Sequence, residues 1–309
     1  MEIRRYSAEM ADAWNAFNRC ARNGHFLFDR NFMDYHADRF ADASLMVMED
    51  DAPIGLLPLN RRGDEAWSHQ GLTFGGLILD DLGAAQVLAA LDAVAEHLRA
   101  EGVAQLTYKA LPPIYPRAPA QEDLYWLFRR DAALIRRDVS VAIDYRARGA
   151  VSSRRARGAK KADKAGLSFA RSSDWTGFWA LLASVLAGRH GAAPVHSLDE
   201  IERLAGHFPD EIALFTASAG ADIQAGVVMF RSAQVAHAQY IAASEAGRET
   251  GALDGLFEYL IGLHSPTHRY FDFGISNTDQ GRVLNEGLVR QKEEFGGGAV
   301  VYDFYQVAL

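Results

Sequence analysis

Residues 212–275 read IALFTASAGADIQAGVVMFRSAQVAHAQYIAASEAGRETGALDGLFEYLIGLHSPTHRYFDFGI. Apolar and alternating runs predict strands at Ile212–Ser218, Ile223–Arg231 and Val235–Ala243. An apolar stripe predicts a helix at Gly251–His264, and a short aromatic run predicts a strand at Tyr270–Ile275. Outward from this stretch the pattern continues with a helix at Gln280–Phe295 and a strand at Ala299–Val307. The same order stands earlier in the chain: strands Ser44–Glu49, Pro53–Asn60 and Ala66–Leu79, helix Ala84–Glu101, strand Gln105–Ala110, helix Gln121–Arg136 and strand Asp138–Tyr145. Matching elements start about 159 to 170 residues apart, a period far longer than any solenoid repeat, so two tandem copies of one α/β (α+β) unit are expected. The expected division is 1–145, a connector at 146–171, and 172–309, with a ligand cleft between the copies.

A chain of 309 residues with 49% hydrophobic and 23% charged side chains can bury two cores, which excludes the disordered and fibrous classes. The lone cysteine, Cys20, falls in a helical stretch whose apolar face is marked by Met10, Trp14, Phe17 and Ala21, and reads as a buried small hydrophobe. Arg4 and Arg5 lead straight into Tyr6, Ser7 and Glu9 rather than an apolar core, which points to the cytoplasm. The longest apolar stretches, Val87–Leu98 and Leu253–Leu263, are short and interrupted by acids, so no membrane insertion is expected. A metal site is not expected either: there are no paired cysteines, and Pro266 separates His264 from His268.

Net charge is −8, yet Arg146, Arg148, Arg154, Arg155, Arg157, Lys160, Lys161, Lys164 and Arg171 crowd into the connector against one acid, Asp163. Ser153 is the expected cap of a short helix there and Gly166 its stop. The patch reads either as a solvated linker or as a receiver of phosphates, from a nucleotide cofactor, a nucleotide-linked acceptor or an RNA carrier.

Four stretches carry a family resemblance: Glu122–Arg130 (EDLYWLFRR), Arg136–Ser140 (RRDVS), Arg189–Glu200 (RHGAAPVHSLDE) and, above all, Phe271–Gly296 (FDFGISNTDQGRVLNEGLVRQKEEFG). With the element order they make the chain resemble the GCN5-related N-acetyltransferase (GNAT) superfamily, in its tandem, FemAB-like branch. The resemblance implies two GNAT-like domains, each a mixed, mostly antiparallel sheet flanked by helices, with the acceptor on the first and the donor on the second.

The superfamily holds a pyrophosphate on a loop and helix N-terminus after its central strand. The matching stretch here is Ala243–Leu253, where Arg248 and Gly251 fit the pattern and Leu253 stands in place of a small residue. The first copy has acids, Asp80 and Asp81, at the corresponding place. The implied donor is acetyl-CoA or another acyl-CoA, with aminoacyl-tRNA, the donor of Fem-type enzymes, as the alternative. Arg154, Arg155 and Arg157 are candidate phosphate ligands, and the backbone at Ile241, Ala242 and Ala243, where the resemblance implies a splayed strand, is the candidate oxyanion site.

Acyl transfer to an amine also needs a base. Asp272 is the leading candidate because it lies between Phe271 and Phe273, where burial would raise its pKa; the alternative is a structural carboxylate paired with Arg282. His190 and His196 flank a loop between two helices and are further candidates, with Ser197 and Glu200 forming a capping box beyond them. Substrate-binding candidates are His69 in a glycine-rich break, Tyr108 and Lys109 at the first copy's equivalent of Asp272, Asn277 and Asp279 before the closing helix, and Lys292 within it. Asn277 and Asp279 read alternatively as caps, Lys109 as a snorkelling edge residue and Lys292 as part of a solvated face. The expected activity is acyl transfer from acyl-CoA to an amine of a small molecule or cell-envelope precursor. A Fem-type aminoacyl transferase and a non-catalytic binder of phosphorylated ligands or RNA are the alternatives.

Overall fold

The computed structural model describes residues 1–190 and 193–309, with the side chains of Arg189 and His190 outside the described set. The chain opens with β1 (Glu2–Arg5), α1 (Ala11–Cys20), α2 (Arg30–Met33), β2 (Leu45–Glu49), β3 (Ala52–Leu57), β4 (Asn60–Arg62), β5 (Glu65–Trp67), β6 (Ile78–Leu79), α3 (Ala84–Ala100), β7 (Gln105–Lys109), α4 (Glu122–Arg129) and β8 (Ala133–Asp144). It continues through α5 (Ser153–Lys164), β9 (Ser168–Ser172), α6 (Trp175–His190), α7 (Leu198–His207), β10 (Ile212–Ala219), β11 (Asp222–Arg231), β12 (Val235–Ala243), α8 (Glu245–Thr250), α9 (Ala252–His264) and β13 (Tyr270–Ile275). The last elements are β14 (Asn277–Thr278), β15 (Val283–Leu284), α10 (Glu286–Glu293) and β16 (Gly298–Ala308).

Two compact units result. Unit 1 comprises Met1–Val139, Asn277–Val283 and Val301–Leu309; unit 2 comprises Ser140–Ser276 and Leu284–Val300. In unit 1, β1, β2, β3 and β6 form an antiparallel sheet, while β5 pairs in parallel with β7, and β7 pairs antiparallel with β16. α3 buries Val87, Leu91, Val94 and Leu98, the recurring positions of one helical face, against that core. In unit 2 the strands run in the order β8, β13, β12, β11, β10, β9, and all neighbours are antiparallel except β12 and β13. α9 lays Leu256, Phe257, Leu260 and Ile261 on Val141, Ile143, Ala236, Ala238, Phe271 and Phe273 of this sheet.

Several expectations are corrected. The run Ala66–Leu79 is two short strands, since the chain turns at His69 (φ 65°) and brings Gly71 so close to His36 that a Cβ would lie 2.1 Å from Nε2. The helix expected to reach Arg136 ends at Arg129, and after left-handed Asp131 (φ 51°) the chain is already strand from Ala133. The closing helix begins at Glu286, because Asp279, Gln280 and Gly281 all take positive φ and fold the preceding residues into the β14–β15 hairpin. Cys20 is exposed, while the buried residues of α1 are Trp14, Asn15 and Asn18. The cap of α5 is Ser152, whose Oγ accepts the Arg155 N–H at 3.2 Å.

Candidate functional site

Two interruptions of the unit 2 ladder make the site. The parallel pairing of β12 with β13 runs through Val235/Tyr270, Ala236/Phe271 and His237/Asp272, and His237/Asp272 is its last rung. Beyond it, β12 bulges at Gln239, since Ala238 faces Met229 while Tyr240 faces Val228. β13 likewise shifts register against β8 between Asp272 and Ile275, around left-handed Gly274 (φ 76°). The two strands part there, and Ile241, Ala242 and Ala243 lie past the last rung, paired only with β11 among the described residues.

Because side chains alternate along a strand, the core residues Ala236, Ala238, Phe271, Phe273, Val141 and Ile143 place His237, Asp272 and Ser140 on the opposite face. There they form one hydrogen-bonded group. Asp272 is fully buried; its Oδ1 accepts from the Ser140 hydroxyl and from the Gly274 N–H at 3.0 Å, and its Oδ2 receives His237 Nδ1 at 2.9 Å. Arg282, the partner in the alternative reading, is exposed. In the tautomer whose Nδ1–H points to the carboxylate, the lone pair of the ring lies on Nε2. His237 is 8% exposed while Asp272 is enclosed, so the ring is the group of the pair that a substrate amine can approach.

His196 joins the same face. Its Nδ1 bonds the hydroxyl of Tyr240 on β12, and its carbonyl accepts from Trp179 Nε1 of α6 at 3.2 Å. The capping box of Ser197 and Glu200 that starts α7 holds it there. His190 ends α6, and its side chain is outside the described residues.

Lys292 is not part of a solvated face. It is 5% exposed, and its Nζ donates at 2.7 Å to both the Gly274 and Ile275 carbonyls, the backbone that β13 releases as it bends. Burial brings its pKa down to about 8, against the opposing pull of Asp272. In the same string, Phe295 packs on Phe273 with ring centroids 5.5 Å apart, so the Gln-Lys-x-x-Phe-Gly pattern braces β13 from behind.

The remaining candidates lie elsewhere. Tyr108 is fully buried in unit 1, its hydroxyl donating to Asp123 at 2.8 Å and accepting the Leu77 N–H at 2.7 Å. Lys109 is no snorkelling edge residue: it is 8% exposed, its Nζ donates to the carbonyls of His69, Gln70 and Leu72, and burial brings its pKa down to about 7. Counted from the first rung of each parallel ladder, Thr107 opposite Trp67 matches Asp272 opposite His237, one and two residues before the positions expected. His69 is 3% exposed beside His36, and burial drives its pKa to about 3. Asn277 ties Asp138 and the Val139 N–H together in unit 1, Asp279 begins the hairpin turn, and neither caps α10, whose cap is Asn285.

The expected phosphate loop is instead the helix α8. Arg248 folds back on the Ala243 carbonyl at 3.2 Å, and Gly251, left-handed at φ 77°, ends α8 and begins α9. Arg155 is buried, bonding Asp254 and Glu294, and so is no phosphate ligand; Arg154 and Arg157 are exposed. No group of residues able to hold a metal ion occurs among the described residues.

His237, Ser140 and Tyr240 were missed from sequence. The available signal was the one that exposed Asp272: a polar residue inside an apolar strand, here in VAHAQY.

The family description "Acetyltransferase (GNAT) domain" matches residues 147–280. No curated protein matches the chain. Among solved structures, FemX superposes with a TM-score of 0.68 at 12% identity, covering 100% of this chain and 98% of its own. L-PGS from Bacillus licheniformis gives 0.62 at 11% identity, covering 98% and 92%. A tandem GNAT protein from the clavulanic acid biosynthesis pathway gives 0.53 at 12% identity, covering 99% and 98%.

Proposed function

We propose that the chain is a tandem, FemAB-like protein of the GNAT superfamily and that its unit 2 transfers an acyl group from an activated ester or thioester to an amine, with His237 as general base. The observation that carries this reading is the placement of the His237–Asp272 pair on the last rung before β12 and β13 separate. A gap between strands exposes backbone N–H groups that no neighbouring strand uses, and these suit a developing oxyanion.

In the step proposed, the amine nitrogen attacks the acyl carbonyl carbon and the C=O π pair moves to oxygen, where β12 N–H groups hold it. His237 Nε2 takes the proton from the nitrogen. Collapse of the oxyanion breaks the bond to the leaving sulfur or oxygen, which receives the proton from His237. Asp272 touches no substrate; it fixes the ring and steadies the imidazolium, while Ser140 and the Gly274 N–H hold Asp272. Acyl-CoA and aminoacyl-tRNA are the donors to compare, and the acceptor is a small-molecule or cell-envelope amine.

The test screens acyl-CoA, an acyl N-acetylcysteamine thioester and charged tRNA against an amine panel by mass spectrometry of amide product. On the pair that turns over, His237→Gln should lower kcat by roughly 10²-fold or more, and Asp272→Asn should lower kcat as well. An unchanged rate in His237→Gln removes the base assignment.

A further inference from the structure

A GNAT domain's acyl-CoA would place its pyrophosphate on the first turn of the helix after the central strand, here α9. The residues present do not fit it. The connection from β12 is occupied by α8, and Ser244, not a ligand, takes up the Gly247 N–H at 3.0 Å. α5 is seated directly on the start of α9. A Cβ on Gly251 would lie 2.5 Å from the Gly158 carbonyl oxygen, one on Gly158 would lie 1.8 Å from Asp254 Oδ2, and one on Gly255 would lie 2.8 Å from the Ala162 methyl. Backbones and side chains that leave no room for a methyl group leave none for a diphosphate.

Charge acts the same way. Asp254, in the first turn of α9, puts a carboxylate where the helix dipole favours an anion. Arg155, on the buried side of α5, bonds both Asp254 and, at 2.8 Å, Glu294. The guanidinium is thereby committed to internal acids, and those acids would repel an incoming phosphate.

We infer that α5 and Asp254 form a built-in plug that takes the place of the pyrophosphate, so that this chain's donor is an acyl ester or thioester recognised without a diphosphate on α9. The word donor rests on the acyl-transfer reading above; the plug itself does not.

Hydrogen exchange of the full chain, read by mass spectrometry with and without CoA, acetyl-CoA or inorganic pyrophosphate at about 1 mM, tests it, alongside calorimetric titration. The expected result is unchanged exchange at Gly251–Gly255 and across α5, whether the titration is silent or reports binding elsewhere. Saturable binding of CoA with slowed exchange at Ala252–Gly255, or with α5 released to faster exchange, overturns the plug. Turnover enters neither readout, so failure of the acyl-transfer reading leaves this result standing.

Discussion

Replacing Arg155 by Met should destabilise unit 2 by about 3 kcal/mol near neutral pH. Arg155 is 6% exposed and bridges two carboxylates whose side chains are only 16% and 19% exposed, Asp254 and Glu294. Removing one partner of a buried pair typically costs roughly 3–5 kcal/mol, because the remaining charge is left desolvated. The partial exposure of both acids favours the lower end. The loss should also depend on pH with a defined sign. Burial already raises the pKa of Asp254 and Arg155 opposes that rise, so without the guanidinium the folded-state pKa climbs further above the unfolded one. The folded variant then binds more protons than the unfolded chain between those two pKa values, so its stability falls as pH rises through them. The gap to the wild-type protein should therefore be smaller at pH ~5 than at pH ~8. Urea-dependent hydrogen exchange of the α5 and α9 amides reads the opening of this region. A gap under about 1 kcal/mol, or one independent of pH, would refute the view that Arg155 neutralises buried acids.

Lys292 should make unit 2 more stable as pH rises from about 8 to 10. Its folded pKa of about 8 lies below its unfolded value, so over that window the unfolded state holds the extra proton. Lys292→Met should flatten that rise in the exchange data, and equal slopes would contradict it. Tyr108→Phe should cost ~1–3 kcal/mol by stranding the Leu77 N–H and the Asp123 carboxyl, already pushed up to about 6 by burial. Thermal unfolding checks the loss, and a changed KM at unchanged stability would return Tyr108 to a substrate-binding role.

Much of the fold was legible because it is written locally. The alternation in Val235–Ala243 and the stripe in Ala252–His264 each name an element without knowledge of its neighbours. The capping box at Ser197 was legible for the same reason: both partners lie within one turn. Asp272 stood out as a lone carboxylate in an aromatic strand. The hairpin Asn277–Leu284 was not legible, because its three positive-φ residues interrupt a run whose composition suits a helix.

Sequence by itself thus determined most of the strands and helices and their order, outside the runs Ala66–Leu79, Gln121–Arg136 and Gln280–Phe295, and that a carboxylate stands in a core strand of unit 2. Only the tertiary structure decided what that carboxylate does. Its partners His237 and Ser140 lie 35 and 132 residues away, and the pairing of β12, β13 and β8 is what brings them to one face. The fate of the cationic connector was decided the same way. Arg155 and Arg157 are equal as letters, but only one faces Asp254 and Glu294, because the close approach of Gly158 and Gly251 fixes the seat of α5 on α9. Burial and pairing are properties of the packed surface, and one-dimensional spacing does not encode which side of a helix that surface will cover.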